Sequence, residues 1–173
     1  MATKSTDYKA EAPSIELGDI GATDAIFLKG ESDLHSRQTG HSIYLLDSIP
    51  KWDRFLAVWE RASRLLPPLH HRVVQPPGPG RLPQWQFDPD LDLRFHVRRL
   101  ALPVPGTLRQ LFDIAEIDGM VPFDHARPLW QATLVEGLEG NRAALLLKFH
   151  HLWVDGKTNI EVTFVLDADG TLQ

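Results

Sequence analysis

A mostly apolar run that ends in two adjacent histidines constrains this chain more than any other segment. The run covers residues 143–149 and leads directly into His150 and His151. An apolar stretch of this length is typical of a buried β-strand. Because neighbouring strand residues point to opposite faces, only one of the two imidazoles can face inward. We expect both histidines at the end of a central strand, with His151 facing a groove or the open side of the sheet.

An imidazole at the end of a strand suits general base catalysis, because histidine titrates close to neutral pH. Asp155 and Gly156 complete the pattern H-H-x-x-x-D-G. Asp155 could stabilise the local backbone or a nearby arginine, and Gly156 indicates a close backbone approach or a positive φ. Two strand-adjacent imidazoles do not easily bind one ion, so we expect no metal site. The spacing alone leaves a catalytic pair and a structural pair equally open.

Composition narrows the classes of function that the chain can perform. Its 173 residues are 43% hydrophobic and 24% charged, which is typical of a globular domain with its own core. The net charge of -5 argues weakly against a nucleic-acid partner. The sequence contains no cysteine, which excludes a thiolate nucleophile and a cysteine-bound zinc and fits a cytoplasmic protein. We expect no cofactor.

The first residues are predicted to be a disordered tail. Residues 1–13 are polar and lack the apolar core of a signal peptide. No apolar run approaches the roughly 20 residues that a membrane-spanning helix needs. Peripheral contact with the inner membrane or a lipid droplet is left open.

Hydrophobic periodicity predicts a mixed α/β fold, a sheet flanked by helices, with elements in the order β-α-β-β-β-α-β-β. A short helix over residues 20–28 is predicted to be capped by Thr23 and Asp24. Over residues 91–98, apolar and polar residues alternate, which predicts a strand with one wet face. The predicted strands are 41–47, 69–75, 84–87, 91–98, 129–136 and 142–150, and the two main helices are 52–66 and 108–119.

Four segments, in order, resemble the N-terminal half of the bacterial wax ester synthase/diacylglycerol acyltransferase family. More distantly they resemble chloramphenicol acetyltransferase and peptide-synthetase condensation domains. The segments are TDAIFL at 23–28, LPQW with DPDLDLRFHVRR between 82 and 99, PFDHARPLW at 122–130 and HHLWVDG at 150–156. The resemblance implies one half of a chloramphenicol acetyltransferase-like fold, whose active site lies in a channel between two halves.

The resemblance also implies a reaction and a role for each motif residue. His151 would be the general base that takes the proton from a diacylglycerol or long-chain alcohol hydroxyl, which then attacks an acyl-CoA thioester directly. His150 would support it, and Asp155 would hold the loop through an arginine. Gly156 and Trp130 are the candidate substrate-binding residues, although an ordinary core position is the favoured interpretation of Trp130.

The resemblance weakens after Gly156. Residues 160–166 are rich in β-branched side chains, which favour a strand, and residues 167–170 indicate a turn. We therefore expect an acyltransferase domain over 14–156 and an atypical extension over 157–173, with the second half of the family fold absent. The channel would then need a complementing half or a second copy of the chain. The alternative is a non-catalytic module that binds an acyl chain or a protein partner.

Overall fold

The main sheet consists of four strands in the order β1-β6-β5-β4. The structure is a computed structural model and describes residues 17, 19–31, 33 and 37–153. Strand β6 pairs antiparallel with β1 and with β5, whereas β4 runs parallel to β5. The strands are β1 (Thr39–Leu46), β4 (Val97–Ala101), β5 (Trp130–Leu138) and β6 (Arg142–His150). The prediction of a mixed sheet is confirmed, and β6 is one of its two central strands.

The helices and a separate two-stranded hairpin surround this sheet. The predicted β-α-β-β-β-α-β-β order is confirmed. The short helix expected near residues 20–28 is also present as α1, and the short helix α3 was not predicted. The remaining elements are α1 (Ala22–Gly30), α2 (Trp52–Leu65), a 3₁₀ turn (Pro67–His70), β2 (His71–Val74), β3 (Gln84–Phe87), α3 (Leu93–His96), α4 (Leu108–Met120) and a 3₁₀ turn (His151–Trp153). Strands β2 and β3 pair antiparallel with each other.

Strand β6 is covered on both faces, which explains why its sequence is apolar without alternation. Residues 143, 145, 147 and 149 face the same core cluster as Phe55 and Trp59 of α2. Residues 144 and 146 pack with Leu111 and Ala115 of α4 on the opposite face. Helices α2 and α4 each cover one face of β6. The last residues of the strand therefore lie at the edge of the core, between the two helices.

Lys148 connects β6 to the C-terminal end of α4. Its ammonium group is almost fully buried and donates hydrogen bonds to the carbonyl oxygens of Asp118 and Val121, at 2.7 and 2.8 Å. These carbonyls lie where a helix leaves its acceptors unsatisfied, so a cation stabilises them. Burial lowers the pKa of Lys148, and the nearby Asp118 carboxylate opposes that effect. The contact holds the end of α4 against the face of β6 that Lys148 shares with His150.

The predicted strand over 91–98 is wrong in its first half. Asp92 accepts a hydrogen bond from the backbone N–H of Arg94 at 3.0 Å, which begins the one-turn helix α3, and β4 starts only at Val97. His96, expected on a wet face, is fully buried, and its Nδ1 donates to the carbonyl oxygen of Trp130 at 2.8 Å. The aspartate's local hydrogen bond overrides the two-residue alternation.

The predicted cap of the first helix is confirmed for Asp24 but not for Thr23. The residue that precedes α1 is Gly21, not Thr23 or Asp24. Asp24 lies inside the first turn, where its carboxylate accepts a hydrogen bond from the backbone N–H of Gly21 at 3.2 Å. A carboxylate at this position stabilises the free N–H groups and the positive end of the helix dipole.

Gly106 allows two backbone segments to meet beside the sheet. It has a φ of +76°, and a Cβ at this position would lie 1.8 Å from the carbonyl oxygen of Gly137. Its own carbonyl accepts a hydrogen bond from the N–H of Glu139 at 3.0 Å. Any side chain would therefore force the loop before α4 away from the end of β5.

We expect Gly106→Ala to lower the free energy of unfolding by more than about 2 kcal/mol, since backbone strain and displacement of a backbone contact add together. Gly80→Ala is the matched control, because Gly80 has a φ of +74° but no atom within 4 Å of the point that a Cβ would occupy. It should cost only about 1–2 kcal/mol. Urea denaturation of both variants checks this. Equal losses would show that the close approach of Gly106 and Gly137 is not a constraint.

Candidate active site

The two adjacent histidines have opposite environments. His150 is the last residue of β6 and is fully buried, and its backbone N–H donates to the carbonyl oxygen of Leu129 at 3.0 Å. His151 is exposed and begins the 3₁₀ turn, and its backbone N–H donates to the carbonyl oxygen of Gln38 at 2.8 Å. The change from strand to turn therefore separates one held imidazole from one that solvent can reach.

Both ring nitrogens of His150 face polar groups. Nδ1 accepts a hydrogen bond from the backbone N–H of Leu152 at 3.0 Å, so Nδ1 carries no proton and the neutral ring is protonated at Nε2. Nε2 lies 2.7 Å from Oε1 of Glu31. The contact does not meet the geometry of a hydrogen bond, so we describe it as a close electrostatic contact. Phe123 packs against the ring at a centroid distance of 6.4 Å.

Glu31 joins His150 to a third histidine. Its side chain is 7% exposed, and its second carboxylate oxygen contacts Nε2 of His125. Burial raises the pKa of Glu31, but hydrogen bonding and charge from His125 and His150 outweigh burial and hold that pKa at about 2. The same contact raises the pKa of His125, against the opposing effect of burial. The buried carboxylate is therefore ionised and lies between two imidazoles.

Sequence reasoning assigned no role to Glu31 or His125. His125 lies inside the motif segment 122–130, but the spacing of residues in that motif does not relate it to a residue at the end of α1. Glu31 follows the last residue of α1, at a position where a glutamate is ordinarily solvated. Its one distinguishing property is burial, since a buried carboxylate needs a compensating partner. Burial becomes visible only when the fold brings the two segments together.

Trp130 occupies the core beneath this end of the sheet. It is fully buried, stacks between Trp59 and His96 at centroid distances of 5.2 and 4.6 Å, and donates from Nε1 to the carbonyl oxygen of Leu69 at 3.0 Å. Burial lowers the pKa of His96, which keeps the ring neutral in the stack. The favoured interpretation of Trp130 as a core aromatic agrees with this packing.

Two of the predicted site residues, Asp155 and Gly156, lie outside the described residues, as does the predicted strand over 160–166. Within the described part of the chain, no group of three or more histidine, aspartate or glutamate side chains is arranged to hold a metal ion. Among the helices of that same part, none combines the length and apolar character that crossing a membrane requires.

The arrangement of sheet and helices is that of one half of the condensation-domain and chloramphenicol acetyltransferase-like fold. The first condensation domain of the CDA synthetase aligns with 91% of this chain and 41% of its own, with a TM-score of 0.65 and 18% identity. At that identity the likeness shows the fold alone. The wax ester synthase/diacylglycerol acyltransferase from Marinobacter aquaeolei VT8 aligns with 83% of this chain and 36% of its own, with a TM-score of 0.65 and 28% identity.

The chain belongs to the family of wax ester synthase/diacylglycerol acyltransferase catalytic domains, whose model matches residues 20–166. The match to the family model therefore includes residues 157–166, where the resemblance of the sequence motifs is weaker. A Mycobacterium tuberculosis protein that carries the name of a diacylglycerol O-acyltransferase is 41% identical to this chain over 152 residues. The alignment covers 88% of this chain and 31% of that relative, so the chain spans about a third of its length.

The contact between Glu31 and His125 should make stability depend on pH in a defined window. Glu31 has a folded pKa of about 2 against an ordinary 4.5, so its contribution is present above about pH 4.5 and is lost as pH falls toward 2. His125 has a pKa raised above 6.5, so its contribution is complete below that value and is lost as pH rises through the folded pKa. The pair is therefore strongest between these limits.

We expect His125→Gln to lower the free energy of unfolding by about 1 kcal/mol at about pH 5.5 and by less at about pH 9. The magnitude is at the low end for a charged contact because His125 is 42% exposed. Urea denaturation at both pH values measures the difference. Arg64→Gln, which removes an exposed pair with Glu60, is the control and should show little change. A loss that grows with pH would contradict the assignment.

Proposed function

We propose that this chain supplies the base-bearing half of an acyl-CoA-dependent O-acyltransferase, with His151 as the general base. One observation carries the proposal: in a chain of this family, β6 ends so that His150 is buried and held while His151 is exposed. A general base must reach the proton that it removes. Of the two histidines in the motif, His151 is the one that solvent, and hence a substrate, can reach.

The chemistry is a single acyl transfer without an acyl-enzyme. His151 takes the proton from the acceptor hydroxyl, and the resulting oxygen attacks the thioester carbonyl carbon of acyl-CoA. The tetrahedral intermediate breaks its C–S bond, and the departing CoA sulfur receives the proton from His151. The products are an ester and free CoA. A positioned base of this kind contributes typically about 10²–10⁴-fold to the rate.

We propose a diacylglycerol or a long-chain alcohol as the acceptor. The family's description and the names of the relatives support these two classes. We further propose that Asp155 holds the loop after the motif through an arginine, and that Gly156 lets the backbone approach the substrate. The full burial of Trp130 supports a role in shaping the sheet near the acyl site rather than in contacting substrate.

We propose that residues 14–156 form the acyltransferase domain and that residues 157–173 form an extension outside it. A channel between two halves requires a second wall. The chain spans 31% of the Mycobacterium tuberculosis relative and 36% of the Marinobacter aquaeolei enzyme. A complementing half or a second copy of this chain would supply that wall, and contact with a lipid surface would deliver the acceptor.

Acyl transfer by the purified 173-residue chain should be slow and should depend on His151. We expect it to form ester from palmitoyl-CoA with hexadecanol or dipalmitoylglycerol, as followed by CoA release and by product mass. His151→Ala should reduce the rate by about 10²-fold or more.

His150→Ala is the matched comparison and should retain more activity, because it does not accept the substrate proton. Ester formation that is undiminished in His151→Ala would overturn the assignment of the base. Absence of ester with tight acyl-CoA binding would instead support a binding module without turnover.

The chain should associate in solution. Helix α4 and the residue after it expose several large apolar side chains, and exposed apolar surface commonly takes part in association. These are Leu108, Phe112, Ile117, Met120 and Val121. Sedimentation velocity over a range of concentrations should show a mass above 19.5 kDa, and Phe112→Glu with Ile117→Glu should lower it. A monomer at every concentration would show that a second copy of this chain does not supply the second wall.

A further inference from the structure

Glu31 connects three segments that are far apart in sequence. It follows α1, contacts His150 at the end of β6, and contacts His125 in the loop that precedes β5. A carboxylate that is 7% exposed costs free energy to bury unless its charge is compensated. Its place beside His150, the residue that adjoins the proposed base, therefore needs an explanation beyond general packing.

The contact orders the ring of His150. With Leu152 N–H donating to Nδ1, the proton of the neutral ring lies on Nε2, which is buried. Without an acceptor beside it, this buried N–H would remain unpaired, which would destabilise the folded chain. Glu31 Oε1, at 2.7 Å from Nε2, supplies the negative partner. The carboxylate therefore stabilises the ring orientation that leaves Nδ1 free to accept from Leu152.

The hydrogen bond from Leu152 to His150 spans the turn that carries His151. Leu152 is the second residue of the 3₁₀ turn that begins at His151. Because His151 lies between the donor and the acceptor of this bond, the bond fixes the backbone on both sides of it. The direction of the His151 side chain follows from the backbone that the bond holds.

We propose that Glu31 is a positioning residue for the His151 base, acting through the Nε2-protonated ring of His150 and the Leu152 N–H. The assignment rests on the proposed function for its catalytic meaning, although the structural link can be tested without activity. Glu31 touches no reacting atom. His125 contacts the second carboxylate oxygen and helps to keep Glu31 ionised.

The structural link is tested by NMR on the full chain at about pH 7. Imidazole ¹⁵N shifts of the wild-type chain should show His150 protonated at Nε2 only. In Glu31→Ala, the Leu152 amide should exchange with solvent at least about tenfold faster, as expected when its acceptor is no longer held, while amides in the middle of β6 keep their protection. Glu60→Ala, which removes an exposed carboxylate paired with Arg64, is the control and should change neither.

A purely structural role would move all amides together, because it would lower global stability. A wild-type His150 protonated at Nδ1, or Leu152 exchange that is unchanged in Glu31→Ala or that rises only in step with β6, would overturn the proposal. Glu31→Gln keeps one acceptor oxygen and should restore part of the Leu152 protection.

The catalytic consequence has a separate readout. Glu31→Ala should lower kcat for ester formation by about 10- to 100-fold, as expected for a misplaced base, with a smaller change in KM for acyl-CoA. Glu31→Gln should recover part of kcat. An unchanged kcat in Glu31→Ala would overturn the positioning role. If the NMR results are as expected but His151→Ala does not change the rate of ester formation, His151 is not the base. The structural link from Glu31 to His150 is then still supported.

Discussion

The structure depends on β6 being paired on both edges and covered on both faces. Strands β1 and β5 take its backbone hydrogen bonds, while α2 and α4 cover its two faces. A strand in this position has few ways to shift, because a slip of one residue would exchange its two core faces. The place where it ends is therefore well defined, and that place determines where the two histidines lie. Lys148 strengthens this by tying the strand to the carbonyl end of α4.

The end of β6 gives two adjacent residues different environments. The last strand residue, His150, still belongs to the buried face, and Glu31 compensates its polar ring. The next residue, His151, has left the ladder and is exposed. Chemically identical side chains therefore differ in burial and in access to solvent because the chain changes from strand to turn between them. The proposed assignment of His151 as the base in acyl transfer depends on this contrast and on the family to which the chain belongs.

Much of this fold could be predicted from sequence, because periodicity reports burial directly. The run ending at His150 predicted β6, and the apolar stripe from Trp52 predicted α2. Prediction failed where a local hydrogen bond competes with the periodic pattern, as at Asp92, whose side chain starts α3 inside an alternating segment. The motif predicted the position of the histidines but not that of Glu31. A contact across 119 positions of the chain (150 − 31) leaves no periodic trace, so it becomes visible only in the folded structure.

The contrast between a buried and an exposed imidazole is the central claim, and chemical modification measures it most directly. Diethyl pyrocarbonate reacts with accessible neutral imidazoles, and fragment masses distinguish adjacent residues. The account predicts that His151 is modified rapidly in the native chain, that His150 is protected, and that unfolding in urea abolishes the difference. Equal rates in the native chain, or faster modification of His150, would contradict it.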